Sequence, residues 1–404
     1  MSSNFSDDAI SIIEAFLIDS NDQTMSDLTN YCKEYDLSDS EIIFLAKALA
    51  ESGTTINFSG ENICDIPSTG GPSSLSTLLC PLFLKLLGNK ILKLGVPGRP
   101  AGGIDVLSQI EGYNINPDLS EVEEWFITNG YVHFLANQEF TPLDSKLFSY
   151  RKNNNSLDVP CLVIASLLSK KIAVGLNIVG LDVRVGKFGN FGRTLEEARK
   201  NSIRFVRVAA LVGINAKCFI TNGMIAQQPY IGRGEALLAL YKIFTKQACT
   251  HLEEHLSVCL EMSLSISGEK SINFTTIDIE NAFIENIEVQ GGNKESFYTV
   301  AANISRKHIY NIYAATSGFL SIDLYKIRDV IVSMQSDEAN MFSDTCGVIL
   351  KARSGHFITE GAIICSYRYE LDLRAEFEIK LNSAFDISEN TEFLNIEIIT
   401  DGKI

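Results

Sequence analysis

Positive charge is scarce in this sequence. Its 404 residues carry 34 Lys and Arg against 50 Asp and Glu, a formal net charge of −16. That balance excludes a protein that wraps nucleic acid, whose phosphates need a basic footprint. It also speaks against docking on an anionic membrane. No uncharged apolar stretch reaches the ~18 residues that a membrane-spanning helix needs. The nine cysteines show no CxxC and no regular spacing. They read as small buried hydrophobes in a reducing, cytoplasmic setting. The opening MSSNFSDDAI lacks a basic n-region, so no secretory signal is expected. A P-loop and a dinucleotide fingerprint are missing, since neither GK[ST] nor GxGxxG occurs. No nucleophile–His–acid pattern is evident, and there are no internal repeats or low-complexity linkers.

What remains is an ordinary globular composition, 46% hydrophobic and 21% charged. At ~150 residues per domain, the length suggests two or three domains. The charge is unevenly spread. Residues 1–50 carry ten acidic and two basic side chains, whereas residues 141–207 carry twelve basic and five acidic. The basic window is either a local site for an anion or a run of solvated helix faces.

Residues 7–50 read as two or three acidic helices, one opened by a cap at Ser38 or Ser40. Then follow a short strand ending NICDI, a Gly/Ser loop PSTGGPSS, an apolar helix closed by Gly88, the strand KILKLGV and a second Gly-rich loop, GRPAGG. Strand–loop–helix–strand is the grammar of a parallel α/β sheet. Residues 117–133 read as helix, Asn129-Gly130 turn and strand; 156–172 as an apolar helix; NIVGLDVRVG as a buried strand; and TLEEARKNSIRFVRVAALVG as an amphipathic helix capped by Thr194. AKCFITN continues the alternation. Beyond about residue 260 the pattern shifts to short alternating strands and turns, and SGHFITEGAIICSY and EFEIKLNS look antiparallel. The expected fold class is α/β plus α: a small all-helical domain (1–52 and 141–175), a larger mixed α/β domain with a central sheet (54–140 and 176–325), and a C-terminal α+β module (326–404).

Three groups of residues carry chemistry. Ser68-Thr69-Gly70-Gly71 lies between a strand and a helix, with Ser73, Ser74 and Ser76 close behind. Glycines let a backbone approach an anion, and a helix start offers free N–H groups. The same sequence also fits a plain βα turn. Ser166 and Lys170, four apart, share a helix face, and Arg151 lies just upstream. Such a set can hydrogen-bond a planar, carbonyl-rich ligand and stabilise negative charge that develops on it, as on a departing uracil or thymine. Alternatively, both cations are surface charges. His251 and His255 flank two glutamates (HLEEH), not the HExxH of a metalloprotease. They read as a solvated helix face, and no metal is expected.

Taken together, the chain resembles the pyrimidine nucleoside phosphorylases, the thymidine phosphorylase family. The resemblance runs over most of the length. The family's Asp-Lys-His-Ser-Thr-Gly-Gly phosphate loop is similar to Asp65-Ile66-Pro67-Ser68-Thr69-Gly70-Gly71, and its later serine to Ser76. PLDSKLFSYR (142–151) is similar to PADKKLYALR, ASLLSKK (165–171) to ASILAKK, and DVRVGKFGNFGRTLEEAR (182–199) to DVKVGSGAFMKTLEDAR. VQGGN (289–293), ATSGFLSID (315–323) and GVILKARSGHFITEGAII resemble C-terminal signatures of the family.

The resemblance implies a helical and an α/β domain with the site in the cleft between them, closed by domain motion, and a homodimer through the helical domain. It implies phosphorolysis of a pyrimidine nucleoside, with inorganic phosphate as co-substrate and no cofactor. The base-binding residues would be Arg151, Ser166 and Lys170, with the aromatic Phe148 beside the base. Arg151 and Lys170 would stabilise the leaving base. Phosphate would meet Ser68, Thr69, Gly70, Gly71 and Ser76. The family's phosphate-pairing lysine is Ile66 here, and its base-protonating histidine is Pro67. The second loop, GVPGRPAGGID (95–105), lacks the family's serine and threonine, with Gly103 at the threonine position. Losing an ammonium contact costs ~1.5–3 kcal/mol. Lys93 or Arg99 would have to restore the charge. Otherwise the co-substrate is water, another anion or a nucleotide with its own charge, or the chain is a silent pyrimidine-binding relative.

Overall fold

The structure is a computed structural model. It describes residues 6–58, 60–71, 75–96, 102–136, 139–187, 189–269, 271, 273–335, 337–338, 341–370 and 374–389. In chain order these form α1 (Asp7–Ile18), α2 (Asp22–Glu34), α3 (Asp39–Glu51), β1 (Cys64–Asp65), α4 (Ser76–Leu86), β2 (Ile91–Gly95), α5 (Gly103–Leu107), α6 (Leu119–Asn129) and β3 (Tyr131–Leu135). Next come α7 (Pro142–Asn153), α8 (Pro160–Ala173), β4 (Ile178–Val185), α9 (Leu195–Leu211), β5 (Asn215–Asn222), β6 (Tyr230–Ile231), α10 (Arg233–Phe244), α11 (Thr250–Ser267), α12 (Thr276–Val289) and α13 (Lys294–Arg306). The remainder is β7 (Tyr310–Tyr313), β8 (Gly318–Ile322), α14 (Leu324–Met334), β9 (Asp337–Glu338), β10 (Met341–Phe342), β11 (Cys346–Leu350), β12 (Phe357–Ile358), β13 (Ile363–Tyr369), α15 (Arg374–Asn382) and β14 (Phe385–Ser388).

The chain divides into two compact units. The first holds the residues up to Thr69 together with Ala136–Thr221; the second holds Gly70–Leu135 and the described residues from Asn222 onward. This division differs from the three domains expected from sequence, because the N-terminal helices cluster with β1, β4 and β5. The fold is mixed α/β, but the expected central sheet is not one sheet. Among the described residues the strands fall into five small sheets.

In the first unit, local signals set the helix starts. Ser38 and Glu41 form a reciprocal capping box on α3. The Thr194 hydroxyl accepts from Glu197 N at the start of α9. Prolines open α7 and α8, where the missing N–H is harmless. α8 is buried along almost its whole length and packs on α3. β1 runs parallel to β4, and β5 flanks β4 on its other side.

In the second unit, β2 and β3 pair in parallel over five residues. The outer edge of β3 is closed by side chains in place of a strand. Gln290 Oε1 accepts from His133 N at 2.9 Å, and Gln290 Nε2 donates to His133 O at 3.1 Å. Asn286 Nδ2 donates to Tyr131 O at 3.0 Å. The VQGGN segment at 289–293 thus supplies a pseudo-strand through its glutamine. Two antiparallel sheets, β6-β11-β13-β7 and β12-β8-β14, share an apolar core that includes Ile327, Ile331, Val348, Leu350, Phe377 and Leu381. The buried Arg368 on β13 ties this region to Glu235 of α10 and to Asp344.

Four expectations change here. The stretch beyond residue 260 is not all short strands and turns, since α12, α13 and α14 lie in it. EFEIKLNS is not a strand: it lies in α15 and its end, where Phe377 and Leu381, four apart, are the buried pair. SGHFITEGAIICSY is antiparallel, but its two strands belong to different sheets, β12 pairing with β8 and β13 with β11 and β7. In HLEEH the glutamates are exposed as expected, but the histidines are not on a solvated face. His255 is buried against Cys259 Sγ at 3.7 Å, and His251 Nε2 lies 2.8 Å from Ala226 O.

The edge closure of β3 gives a test. Gln290→Ala leaves the buried His133 N–H and C=O without these partners and costs about 2–4 kcal/mol. The His133 amide, protected in the wild type, then exchanges its hydrogen faster, and unchanged protection would contradict the assignment.

Candidate active site

The base-site residues expected from sequence come together on α7 and α8 of the first unit. Asp144, Phe148 and Arg151 share one face of α7 by their spacing of four and three. Leu162, Ser166 and Lys170 lie along one stripe of α8 at intervals of four. The helices meet antiparallel. Asp144, near the start of α7, forms an ion pair with Lys170, near the end of α8. Arg151, near the end of α7, donates from Nη1 to the Leu162 carbonyl at 3.3 Å. Phe148 and Ser166 occupy the level between, about 4.5–6 Å along the helix from either end pair.

Lys170 commits its three N–H donors to this stripe. They go to Asp144 Oδ2, to the Ser166 carbonyl at 2.9 Å and to Ser166 Oγ at 3.0 Å. Because Ser166 Oγ accepts from the ammonium, its own proton is left to donate elsewhere. The stripe therefore presents a hydroxyl donor backed by a fixed positive charge. That combination suits a carbonyl oxygen on which negative charge builds up.

Arg151 has a structural task as well. Its side chain is buried, with Nε donating to Ser156 O at 3.1 Å and Nη2 to Leu157 O at 3.2 Å. It thus pins the turn between the two helices. Burial pulls its guanidinium below the ordinary value, while the nearby Asp144 carboxylate pulls the other way.

Sequence reasoning missed Asp144. It is buried, and its Oδ1 has no hydrogen-bond partner among the described residues. Its position on the Phe148–Arg151 face was readable, but its pairing with a lysine 26 residues away was not. The next lysine, Lys171, pairs with Asp65 of β1, so α8 ends in a fork that grips α7 and β1.

The Ser68 loop is seated on β4. Ser68 bridges Asp182 in parallel register, Thr69 N donates to Asp182 O at 2.9 Å, and Thr69 Oγ1 accepts from Arg184 N at 3.0 Å. Asn190, from the Gly/Phe loop after β4, donates to Thr69 O at 3.3 Å. Thr69 is thus an anchor of the loop as well as a hydroxyl in it. Ile66 is buried in the apolar core, and Pro67 is half-buried.

The remaining expected phosphate residues belong to the second unit. Gly70 and Gly71 have φ of 132° and 112°, a backbone region that favours glycine. Ser76 is the buried first residue of α4. Lys93 is buried in the middle of β2 opposite His133, away from the strand end where it was expected. Arg99 lies outside the described residues, as do Ser73 and Ser74.

Comparison with known proteins gives a match over a stretch of the chain. A pyrimidine-nucleoside phosphorylase of Staphylococcus epidermidis is 30% identical over 193 residues, 46% of this chain and 44% of that protein. One of Staphylococcus haemolyticus is 31% identical over the same length. Over nearly half its length, the chain is similar to the pyrimidine-nucleoside phosphorylases. The resemblance read from the motifs is borne out over that stretch, and the chain spans under half the length of these relatives. No protein-family model matches the chain. Among solved structures, an anthranilate phosphoribosyltransferase of Thermus thermophilus has a TM-score of 0.44 at 13% identity, covering 72% of this chain and 97% of that one. One of Saccharomyces cerevisiae has a TM-score of 0.49 at 14% identity, covering 74% and 90%.

The ion pair on the α7–α8 stripe is expected to support the fold. Asp144→Ala leaves Lys170 without its counter-charge and lowers stability by about 3–5 kcal/mol. Asp144→Asn keeps an acceptor for the ammonium and loses less. Urea denaturation of the two variants reads the difference, and equal losses would show that the acceptor plays no part.

Proposed function

We propose that this chain is a pentosyltransferase that cleaves the N-glycosidic bond of a pyrimidine nucleoside with phosphate, giving free base and pentose 1-phosphate. The α7–α8 stripe carries this reading: Ser166 and Lys170 are joined by hydrogen bonds, one turn from the Arg151 contact and level with Phe148. Similarity to pyrimidine-nucleoside phosphorylases supports it. Phosphate oxygen forms a bond to the anomeric carbon as the bond from that carbon to the base nitrogen breaks. The electron pair stays with the base, spread over its carbonyl oxygens. Ser166 donates to one carbonyl, and the Lys170 ammonium stabilises the charge by exchanging its Ser166 contact for the base. Arg151 holds the inter-helix turn in register and adds positive charge to the stripe. Phe148 offers the planar base an apolar contact. No cofactor is required for this displacement. We also place the chain in the cytoplasm as a homodimer. The burial of eight of its nine free cysteines suits a reducing compartment. Among the described residues, no helix is long and apolar enough to cross a membrane.

A second reading is favoured by position 66. The resemblance puts a phosphate-binding lysine there, and the structure has a core isoleucine. An enzyme that uses water or another anion, or a silent pyrimidine-binding relative, would retain the base stripe and tolerate this change.

Incubating the full chain with uridine, thymidine and cytidine, with and without phosphate, separates these readings. Phosphate-dependent release of base is the expected result, and Lys170→Ala abolishes it. Release that ignores phosphate supports the second reading. No release of any base overturns the enzymatic assignment.

A further inference from the structure

Resting on that reading of the Ser68 loop, we infer that Arg184 of β4 supplies the positive charge for an oxyanion held at Ser68, in place of the lysine whose position Ile66 occupies.

Residues 65–71 contain no cation, so an anion seated there needs a counter-charge from a neighbouring element. β4 is that neighbour. Ser68 is paired directly with Asp182, and partners in a ladder present their side chains on the same face. Residues two apart on a strand also share a face, so Arg184 lies on the face of Ser68 and Asp182. The Arg184 main chain is fixed to the loop itself, through its N–H to Thr69 Oγ1 at 3.0 Å.

The guanidinium is fixed too. Nε and Nη2 each lie 3.0 Å from Asp182 Oδ2, while Asp182 Oδ1 accepts from Thr221 Oγ1 at 2.8 Å. At least two of the five arginine donors thereby set its orientation. The head group is buried, with 5% of its side chain exposed. A preset guanidinium gives up little conformational freedom when an anion arrives, and its planar fork matches a phosphate better than a point charge does. The location also fits. β1 and β4 are parallel, and both the Ser68 loop and Arg184 lie toward their carboxyl ends, where ligands settle in such sheets. Ile66, by contrast, is committed to the core, so position 66 is not an open slot that a cation has merely vacated.

Calorimetric titration of the full chain with inorganic phosphate, and separately with uracil, tests this. Arg184→Gln is expected to weaken phosphate binding at least tenfold, Arg184→Lys to weaken it less, and both to bind uracil within twofold of the wild type. Should Arg184→Gln fail to fold because Asp182 is left without its counter-charge, Asp182→Asn/Arg184→Gln removes both charges together and is expected to fold and to lose phosphate binding. A folded variant lacking the arginine that binds phosphate like the wild type overturns the inference, as does a wild type that binds no phosphate. Phosphate binding that depends on Arg184 in a protein that releases no base would leave this inference standing and remove the proposed reaction.

Discussion

The first unit depends on charges that are buried in pairs. At the end of α8, Lys170 and Lys171 reach in different directions, to Asp144 on α7 and Asp65 on β1. Burying any of these groups alone would cost several kcal/mol, so each helix or strand is held where its partner charge requires it. The fork sets the antiparallel register of α7 and α8, which aligns Phe148 with Ser166 and places Arg151 over the start of α8. It also fixes β1, and with it the loop that begins at Ile66. The α7–α8 stripe and the Ser68 loop are positioned by consecutive residues of one helix.

Pairing also explains the uneven charge along the chain. At least six of the twelve cations in the basic window at 141–207 are paired with carboxylates inside the first unit. Arg204 meets Asp36 and Asp39, Arg207 meets Asp39, and Arg193 meets Asp158, alongside the Lys170, Lys171 and Arg184 pairs. Two arginines of α9 thus tie the basic window to Asp36 and Asp39 of the acidic N-terminal segment, with α9 laid against the start of α3. The side chains of Arg207 and Arg204 hold the Asp39 carboxyl below its ordinary value. A surplus of cations does not by itself mark an anion site here. What distinguishes Lys170 is its bond to the Ser166 hydroxyl, and what distinguishes Arg184 is its main-chain bond to the Thr69 hydroxyl beside Ser68.

The elements with local signals were legible in the sequence. The Ser38–Glu41 box, the Thr194 cap and the Asn129-Gly130 turn each act within a few residues, and all three fall where their chemistry requires. The stripe residues Ser166 and Lys170 were readable for the same reason, since helical spacing alone puts them on one face. Long-range partners were not. Nothing near Lys170 in sequence points to Asp144, and nothing in VQGGN announces that Gln290 would close the edge of β3. EFEIKLNS alternates like a strand, but packing against the sheet core selects Phe377 and Leu381 and leaves Ile379 71% exposed. The Ser68 loop was the hardest to read, because the arginine we propose as its counter-charge lies on another strand. Its own residues show only the loss of a lysine.

The central claim is that the α7–α8 stripe receives a pyrimidine base. A crystal structure of the full chain with bound uracil tests it most directly. The expected result is one carbonyl oxygen within hydrogen-bonding distance of Ser166 Oγ and Lys170 Nζ, with the ring against Phe148 and Asp144 still holding the lysine. Uracil bound elsewhere, with Lys170 still closed on both Asp144 and Ser166, would contradict it.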